Sequence, residues 1–410
     1  MTYGCIGERL GHSFSKEIHN KIADYPYELC EVSKDSLDDF AIAKNFTAIN
    51  VTIPYKELII PHLYYIDEHA RLIGAVNTVV NRGGRLYGYN TDFFGMSELL
   101  RHAGISVRGK KVCILGTGGT SKTSHAVCTA LGAREVIKVS RTESDEAIDY
   151  EALVSRHADA EIIINTTPVG MFPNNEGVPV DISAFPNLSG VIDAIYNPLR
   201  TKLIREAKKR GIPAEGGLYM LVAQAVRASE IFLDKKYDER IIDKVYSDIV
   251  REKENIVLIG MPSSGKSTVG RILGALTSRP FVDTDEEVSK ESGRSIPEMF
   301  AIDGEVKFRE AESMAVRKFS EKNGQILATG GGVVLNFDNI DRLSQNGKIF
   351  FVDRPLADLI PTSDRPLSST REAVEARYRE RYPLYLKSAD VTIDASEDAA
   401  TVAKKILGEF

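Results

Sequence analysis

The stretch Gly260-Met261-Pro262-Ser263-Ser264-Gly265-Lys266-Ser267-Thr268 constrains this chain more than any other. It fits G-x-x-x-x-G-K-[ST] and lies between an apolar run at 255–259 and a helix-like segment from 269, the strand, glycine turn and helix start that a phosphate-binding loop requires. In such a loop backbone N–H groups and the helix dipole hold phosphates, Lys266 reaches the β and γ groups, and the Ser267 hydroxyl is placed for Mg²⁺. Ser264, Gly265 and Thr268 complete the nucleotide-binding set. The bland alternative is an ordinary strand-to-helix turn. Because these loops usually open their domain and this one begins at residue 260, a second machine is expected upstream.

A length of 410 residues predicts about two to three domains, and a 43% hydrophobic content suffices for ordinary cores. With a net charge of −6 and no basic block, neither nucleic acid nor another polyanion is an expected partner. No apolar run approaches the roughly 20 residues needed to span a bilayer, and no signal pattern opens the chain, so a cytoplasmic protein is expected. Cys5, Cys30, Cys113 and Cys128 form no C-x-x-C pair and read as reduced thiols.

The first hundred residues alternate short strands and helices. A strand at 3–7 leads through a loop holding Ser13 and Ser15 to a helix at about 16–23. Ser15 suits an N-cap, and two serines in one loop could equally hold a carboxylate. Residues 48–53 alternate as a strand that Pro54 stops, placing Asn50 and Thr52 on one face. Lys56 follows the strand's C-terminal end, where open α/β sheets place ligands, although a solvated lysine in a helix's first turn is the plain alternative. Segments 75–80 and 85–89 flank Asn81-Arg82-Gly83-Gly84 as a hairpin. Asn90-Thr91-Asp92 then opens a helix ending near Gly104, which Asp92 could merely cap. Asn50, Thr52, Lys56, Asn77 and Asp92 recur at strand ends, as a polar small-molecule pocket demands.

A strand at 110–115 turns through Gly116-Thr117-Gly118-Gly119-Thr120-Ser121 into a helix, close to a dinucleotide fingerprint except that Ser121 replaces the third glycine. The next strand, at 135–139, ends in Ser140-Arg141-Thr142 instead of the acidic residue that would bind a ribose 2′-hydroxyl. A guanidinium between hydroxyls suits a 2′-phosphate, so NADP(H) is expected, with a surface arginine as the alternative. Loops containing Met171 and Tyr196 follow two further strands and would lie beside the nicotinamide of a doubly wound sheet. Gln224 interrupts an otherwise apolar helix at 218–226, either as a satisfied buried amide or facing a ligand.

The set His12-Ser13-Phe14-Ser15, Asn50-Val51-Thr52-Ile53-Pro54-Tyr55-Lys56, Ala75-Val76-Asn77-Thr78, Asn90-Thr91-Asp92, Gly116-Thr117-Gly118-Gly119, Ser140-Arg141-Thr142 and Val222-Ala223-Gln224-Ala225 resembles shikimate dehydrogenase over residues 1 to about 245. The resemblance implies reversible reduction of 3-dehydroshikimate to shikimate by NADPH. Ser13, Ser15, Asn50, Thr52, Asn77, Asp92, Tyr196 and Gln224 would hold the substrate, with Lys56 and Asp92 as the catalytic pair. Gly116, Gly118, Gly119, Ser140, Arg141, Thr142 and Met171 would hold the cofactor. Ser140 stands where the family usually has asparagine, and Lys16 where proline is common.

Downstream, 280–285 reads as a strand ending in Asp283 and Asp285, one residue apart and therefore on one side. One carboxylate could serve Mg²⁺ while the other meets a substrate hydroxyl. Arg309 lies in a helix from about Asp303, and a strand at 326–329 ends in Gly330-Gly331-Gly332, which permit close backbone approach or make a flexible turn. With Arg365 and Arg381, these elements resemble shikimate kinase over about 254–410. That family implies that Asp285, Arg309, Gly331, Gly332 and Arg381 bind shikimate, that Asp285 orients or deprotonates its 3-hydroxyl, that Ser267 and Asp283 serve the metal, and that Arg365 meets ATP phosphates. Ser263 stands at a usual glycine, and the segment 354–381 is shorter than usual.

An α/β chain is therefore expected: a substrate domain at 1–95 completed by helices at about 217–250, a Rossmann-like NADP domain at 96–216, a linker at 251–254 that also reads as a solvated helix end continuing from Ile249-Val250, and a P-loop kinase domain with a parallel sheet at 255–410. The two halves would perform consecutive reactions on 3-dehydroshikimate and shikimate using NADPH and MgATP. A non-catalytic nucleotide-binding C-terminal module and a first half that oxidises quinate are the alternatives; the oligomeric state is open.

Overall fold

A computed structural model describes residues 1–410 apart from His12, Glu239 and 362–369, and the described chain divides into two compact units, Met1–Ile249 and Val250–Phe410. Among the described residues the first unit holds two sheets. One contains β1 (Tyr3–Gly7), β2 (Tyr27–Glu31), β3 (Ala48–Val51), β4 (Tyr65–Ile66), β5 (Thr78–Arg82) and β6 (Arg85–Tyr89) in the order β2-β1-β3-β5-β6-β4. Strand β3 runs parallel to β1, and β5 runs antiparallel to both β3 and β6. The start of β5 and the ends of β1, β3 and β6 therefore share one edge. The β5–β6 turn takes Gly83 at φ 59° and Gly84 at φ 80°, as a tight primed hairpin turn needs.

The second sheet is entirely parallel, β11-β10-β9-β7-β8, built from β7 (Lys111–Leu115), β8 (Glu135–Val139), β9 (Ile162–Asn165), β10 (Gly190–Asp193) and β11 (Ala214–Glu215). Strands covered on both faces need continuous apolar runs, and β7, β9 and β10 are buried at every residue. The chain turns from β7 to β8 on one side and to β9 on the other, so the crevice for a ligand opens above β7 and β9. The helix Leu218–Leu233 returns to the first sheet, where Ala228 and Phe232 pack with Cys5, Tyr25, Tyr27, Ala48 and Val80.

The second unit is a parallel sheet in the order β13-β14-β12-β15-β16: β12 (Asn255–Ile259), β13 (Phe281–Asp283), β14 (Ile326–Ala328), β15 (Gly347–Asp353) and β16 (Val391–Asp394). Apolar clusters cover it on both faces, one around Val257, Ile259, Leu327 and Phe351, the other around Ile256, Leu258, Phe350 and Val352.

Three expectations change. Residues 251–253 are not a linker but the last turn of the helix Ile241–Lys253, whose last turn carries Arg251 and Lys253, cations that suit a helix C-terminus. Asp285 is not in a strand: β13 stops at Asp283, whose carboxylate caps the helix Thr284–Ser292 by accepting from the N–H groups of Asp285 and Glu286. Ser15 is the first residue of the helix Ser15–Ile22 and not its N-cap; its N–H donates to Ser13 Oγ at 3.3 Å. All four cysteines are free thiols. Among the described residues no helix is long and apolar enough to cross a membrane.

Candidate functional sites

The common edge of the first sheet gathers polar side chains from separate parts of the chain. Ser13 and Ser15 follow β1, and their hydroxyls bond at 3.0 Å. Buried Asn50, at the end of β3, donates to Asn77 O at 3.3 Å and Thr78 Oγ1 at 3.2 Å. Its own carbonyl accepts from Tyr27 Oη at 2.7 Å; burial pushes the Tyr27 phenol well up, so it remains a donor. Asn77 Nδ2 donates to Thr91 Oγ1 at 3.0 Å while Thr91 N donates back to Asn77 Oδ1 at 2.8 Å. Thr91 Oγ1 in turn donates to Gln224 Oε1 at 3.3 Å. The result is one hydrogen-bonded chain from Tyr27 to Gln224 in which every link is polar and buried. Thr52, half-buried, follows β3 and donates its N–H to Ile6 O.

Beside this chain Lys56 Nζ donates to Asp92 Oδ2 at 2.6 Å, with the side chains 20% and 11% exposed. Lys56 lies in the short helix Tyr55–Leu58 and Asp92 at the first residue of the helix Asp92–His102, which Asp92 does not cap: Asn90 Oδ1 accepts from Phe93 N instead. An ammonium held against a carboxylate, partly open to solvent, can present a proton at a fixed place. The ring of Phe14, between the two serines, packs on Tyr196 at 5.3 Å.

At the second sheet Gly116 has φ 109°, and a Cβ there would meet Thr166 Oγ1 at 2.7 Å, so only glycine fits. Gly118 and Gly119 face open space at the start of the helix Gly119–Ala130. Such bare backbone at a helix N-terminus fits a pyrophosphate. Ser140 accepts from Thr142 N at 3.1 Å just past β8, shaping the turn that carries exposed Arg141. Met171 is 44% exposed in the loop after β9. The third-glycine position, Ser121, is fully buried in the helix.

In the second unit a cavity of about 700 Å³ joins the phosphate loop to Asp283, Asp285, Arg309, Gly331, Gly332 and Arg381. Lys266 Nζ donates to the carbonyls of Gly260 and Met261 at 3.0 and 2.8 Å, beside buried Ser264. Gly265, at φ 92°, sets the start of the helix Lys266–Thr277, and Thr268 lies exposed in its first turn. Ser267 Oγ donates to Asp283 Oδ2 at 2.5 Å, so a hydroxyl and a carboxylate, both hard oxygen donors, stand together as Mg²⁺ would require. Ser263 takes φ 66°, a left-handed conformation that glycine would adopt freely, and its hydroxyl donates to Ile360 O at 2.9 Å.

Arg309 spans Glu305 and Glu312 at 3.1 and 2.9 Å, and a Cβ on Gly332 would lie 2.0 Å from its guanidinium. Arg381, buried, donates to Gly331 O at 3.1 Å, and Tyr385 donates to the same oxygen at 2.5 Å. Both arginines thus border the glycine loop and line the cavity, where guanidiniums could meet a carboxylate. Arg365 lies outside the described residues. Glu312, which the sequence reading did not single out, is buried in the cavity wall; burial raises its carboxyl against the pull of Arg309. Its spacing of three from Arg309 in one helix was the available signal. Thr78 and Thr91 were missed as links because hydroxyls next to named residues carry no periodic signature, and Tyr27 because its partner Asn50 stands on another strand, 23 residues away.

Fold and sites define the class: a nucleotide-dependent α/β oxidoreductase architecture, a substrate sheet beside a dinucleotide-type sheet, followed by a P-loop kinase. Comparison with known proteins makes it particular. The family model for the shikimate dehydrogenase substrate binding domain matches residues 5–79, and the model for shikimate kinase matches residues 262–410. The shikimate dehydrogenase (NADP(+)) of Clostridium perfringens strain 13 is 36% identical over 265 residues, covering 60% of this chain and 97% of that protein. Among solved structures, shikimate dehydrogenase 1 from Peptoclostridium difficile is 39% identical with a TM-score of 0.56, covering 61% of this chain and 98% of that one. Shikimate 5-dehydrogenase from Thermus thermophilus, in complex with NADP(H) and shikimate, is 27% identical with a TM-score of 0.55 and covers 60% of this chain and 99% of that one. The chain belongs to the shikimate dehydrogenase family and carries a shikimate kinase domain behind it.

Proposed function

We propose that the chain is a bifunctional cytoplasmic enzyme that reduces 3-dehydroshikimate to shikimate with NADPH and then phosphorylates shikimate on its 3-hydroxyl with MgATP. The observation that carries the first reaction is the Lys56–Asp92 pair, 2.6 Å apart at the polar edge of the substrate sheet. NADPH, when bound, supplies a hydride to the carbonyl carbon. Lys56 gives the proton that the carbonyl oxygen must gain, and Asp92 holds the ammonium in place. Ser13, Ser15, Asn50, Thr52, Asn77, Tyr196 and Gln224 hold the substrate's carboxylate and hydroxyls. Gly116, Gly118 and Gly119 cradle the pyrophosphate; Arg141, flanked by Ser140 and Thr142, takes the 2′-phosphate; and Met171 lies toward the nicotinamide.

In the second unit Arg309 and Arg381 grip the shikimate carboxylate while Asp285 accepts the proton of the 3-hydroxyl. That oxygen bonds to the γ-phosphorus as the bond to the β–γ bridging oxygen breaks and ADP leaves. Lys266 and the loop N–H groups hold the phosphates, and Ser267 with Asp283 would hold Mg²⁺, which neutralises phosphate charge when bound. The decisive experiment supplies 3-dehydroshikimate, NADPH and MgATP together. Shikimate 3-phosphate is the expected product; accumulation of shikimate would leave the second unit a nucleotide-binding module without catalysis.

A further inference from the structure

The buried carboxylate of Asp193 belongs to none of the groups assigned above. It ends β10, is fully buried, and meets three neutral donors: Asn165 Nδ2 at 3.0 Å, Ile195 N at 3.0 Å and Thr201 Oγ1 at 2.7 Å. Each donor comes from a different piece of chain. Asn165 ends the neighbouring strand β9, Ile195 opens the loop after β10, and Thr201 caps the helix Lys202–Lys209. Asn165 carries the connection onward, because its Oδ1 accepts from Thr167 N at 3.0 Å and Thr167 Oγ1 at 2.7 Å. A single carboxylate therefore fixes the start of the loop 166–171 and both ends of the loop 195–200.

Those two loops stand at the C-terminal edge of the parallel sheet. Thr166 packs against Gly116 of the glycine turn, and Tyr196 against Phe14 of the substrate loop. Burying a carboxylate among neutral partners is costly, and burial pushes this one up to about 7 against the pull of Thr201, Ile195 and Asn165. An apolar residue of similar size would leave Ile195 N, Asn165 Nδ2 and Thr201 Oγ1 without this acceptor, so the carboxylate is what ties the three pieces of chain together. Bonded at the joint between cofactor turn and substrate loop, the carboxylate sets the geometry of both.

We propose that Asp193 is a positioning residue for hydride transfer, clamping the loops 166–171 and 195–200 so that the nicotinamide and the substrate carbonyl meet at a fixed distance. The inference rests on the NADPH-dependent reduction proposed above. Hydride transfer falls steeply with misplacement, so the clamp should affect the chemical step more than binding.

The test uses the full chain with Asp193→Asn and, as the milder variant, Thr201→Val. For both, the single-turnover rate of NADPH oxidation by 3-dehydroshikimate should fall, on the order of 10- to 100-fold for Asp193→Asn and less for Thr201→Val. KM values for both substrates should stay within about threefold, and the kinetic isotope effect with NADPH deuterated at the transferring position should rise. Phosphorylation of added shikimate should not change. Thr201→Val that folds and turns over with the unaltered chain's rate and isotope effect overturns the proposal, as does a loss in Asp193→Asn that merely tracks its unfolded fraction. If the unaltered chain itself fails to oxidise NADPH with 3-dehydroshikimate, the functional reading falls instead, and the two failures are told apart.

Discussion

In the first unit the polar groups of the site hold one another: Tyr27, Asn50, Thr78, Asn77, Thr91 and Gln224 form a chain of side-chain hydrogen bonds, with one ion pair beside it. In the second unit the groups are mostly charged and are held separately, Arg381 on the Gly331 carbonyl, Arg309 by Glu305 and Glu312 and against Gly332, and Ser267 on Asp283. The first arrangement suits a hydroxyl-rich ring with a single carboxylate, whose reacting carbonyl needs one proton. The second suits phosphates and a carboxylate, where charge must be balanced over a wide cavity. A mutual network fails as a whole when one member is lost, whereas a set of charges on a rigid frame loses its members one at a time.

The comparison can be broken at its strongest point first. Lys56→Ala should lower NADPH oxidation by about 10²–10⁴-fold, the range of a lost general acid, while shikimate phosphorylation by the same preparation persists. Loss of both would mean that the sites are not independent. Asp285→Asn should do the reverse, lowering phosphorylation kcat by about 10²-fold, the low end of that range because phosphoryl transfer depends more on positioning. Gly332→Ala puts a methyl into the Arg309 guanidinium, and about 1.5–3 kcal/mol of charged hydrogen bonding should be lost, read as a KM for shikimate raised roughly 10- to 100-fold. An unchanged KM would show that Arg309 does not need that loop. Arg141→Ala should weaken NADPH by about 1–3 kcal/mol in KM and leave NADH use intact; equal loss for both would remove its phosphate role.

The smallest effect concerns Ser263. Ser263→Ala keeps the left-handed backbone and loses the hydroxyl bond to Ile360, so chemical denaturation followed by loss of phosphorylation should show a loss of about 1 kcal/mol. Ser263→Gly loses the same bond, about 1 kcal/mol, while relief of about 1–2 kcal/mol of left-handed strain is set against about 0.5–1 kcal/mol of added chain entropy, so it should lose no more than the alanine variant. A glycine variant less stable than the alanine one would show that the conformation carries no cost.

The second unit's phosphate loop was legible because its motif, flanking strand and helix agree, and the edge of the first sheet because polar residues recur at strand ends. Asp285 was misplaced because alternation over six residues cannot show where a capping aspartate ends a strand. The charged stretch 251–254 reads both as a linker and as a solvated helix end, and the helix through Lys253 decides for the second. Asp193 left no local sign, since its partners Asn165 and Thr201 stand 28 and 8 residues away and only the paired strands β9 and β10 bring them together.

The helix Leu218–Leu233 supplies Gln224 to the substrate edge and Ala228 and Phe232 to the core of the first sheet. During synthesis, Ala228 and Phe232 cannot cover Cys5, Tyr25, Tyr27 and Val80 until the ribosome has released the whole dinucleotide sheet and this helix. A chain ending before Leu218 leaves those residues without that cover, and such a fragment should aggregate instead of persisting as a folded half.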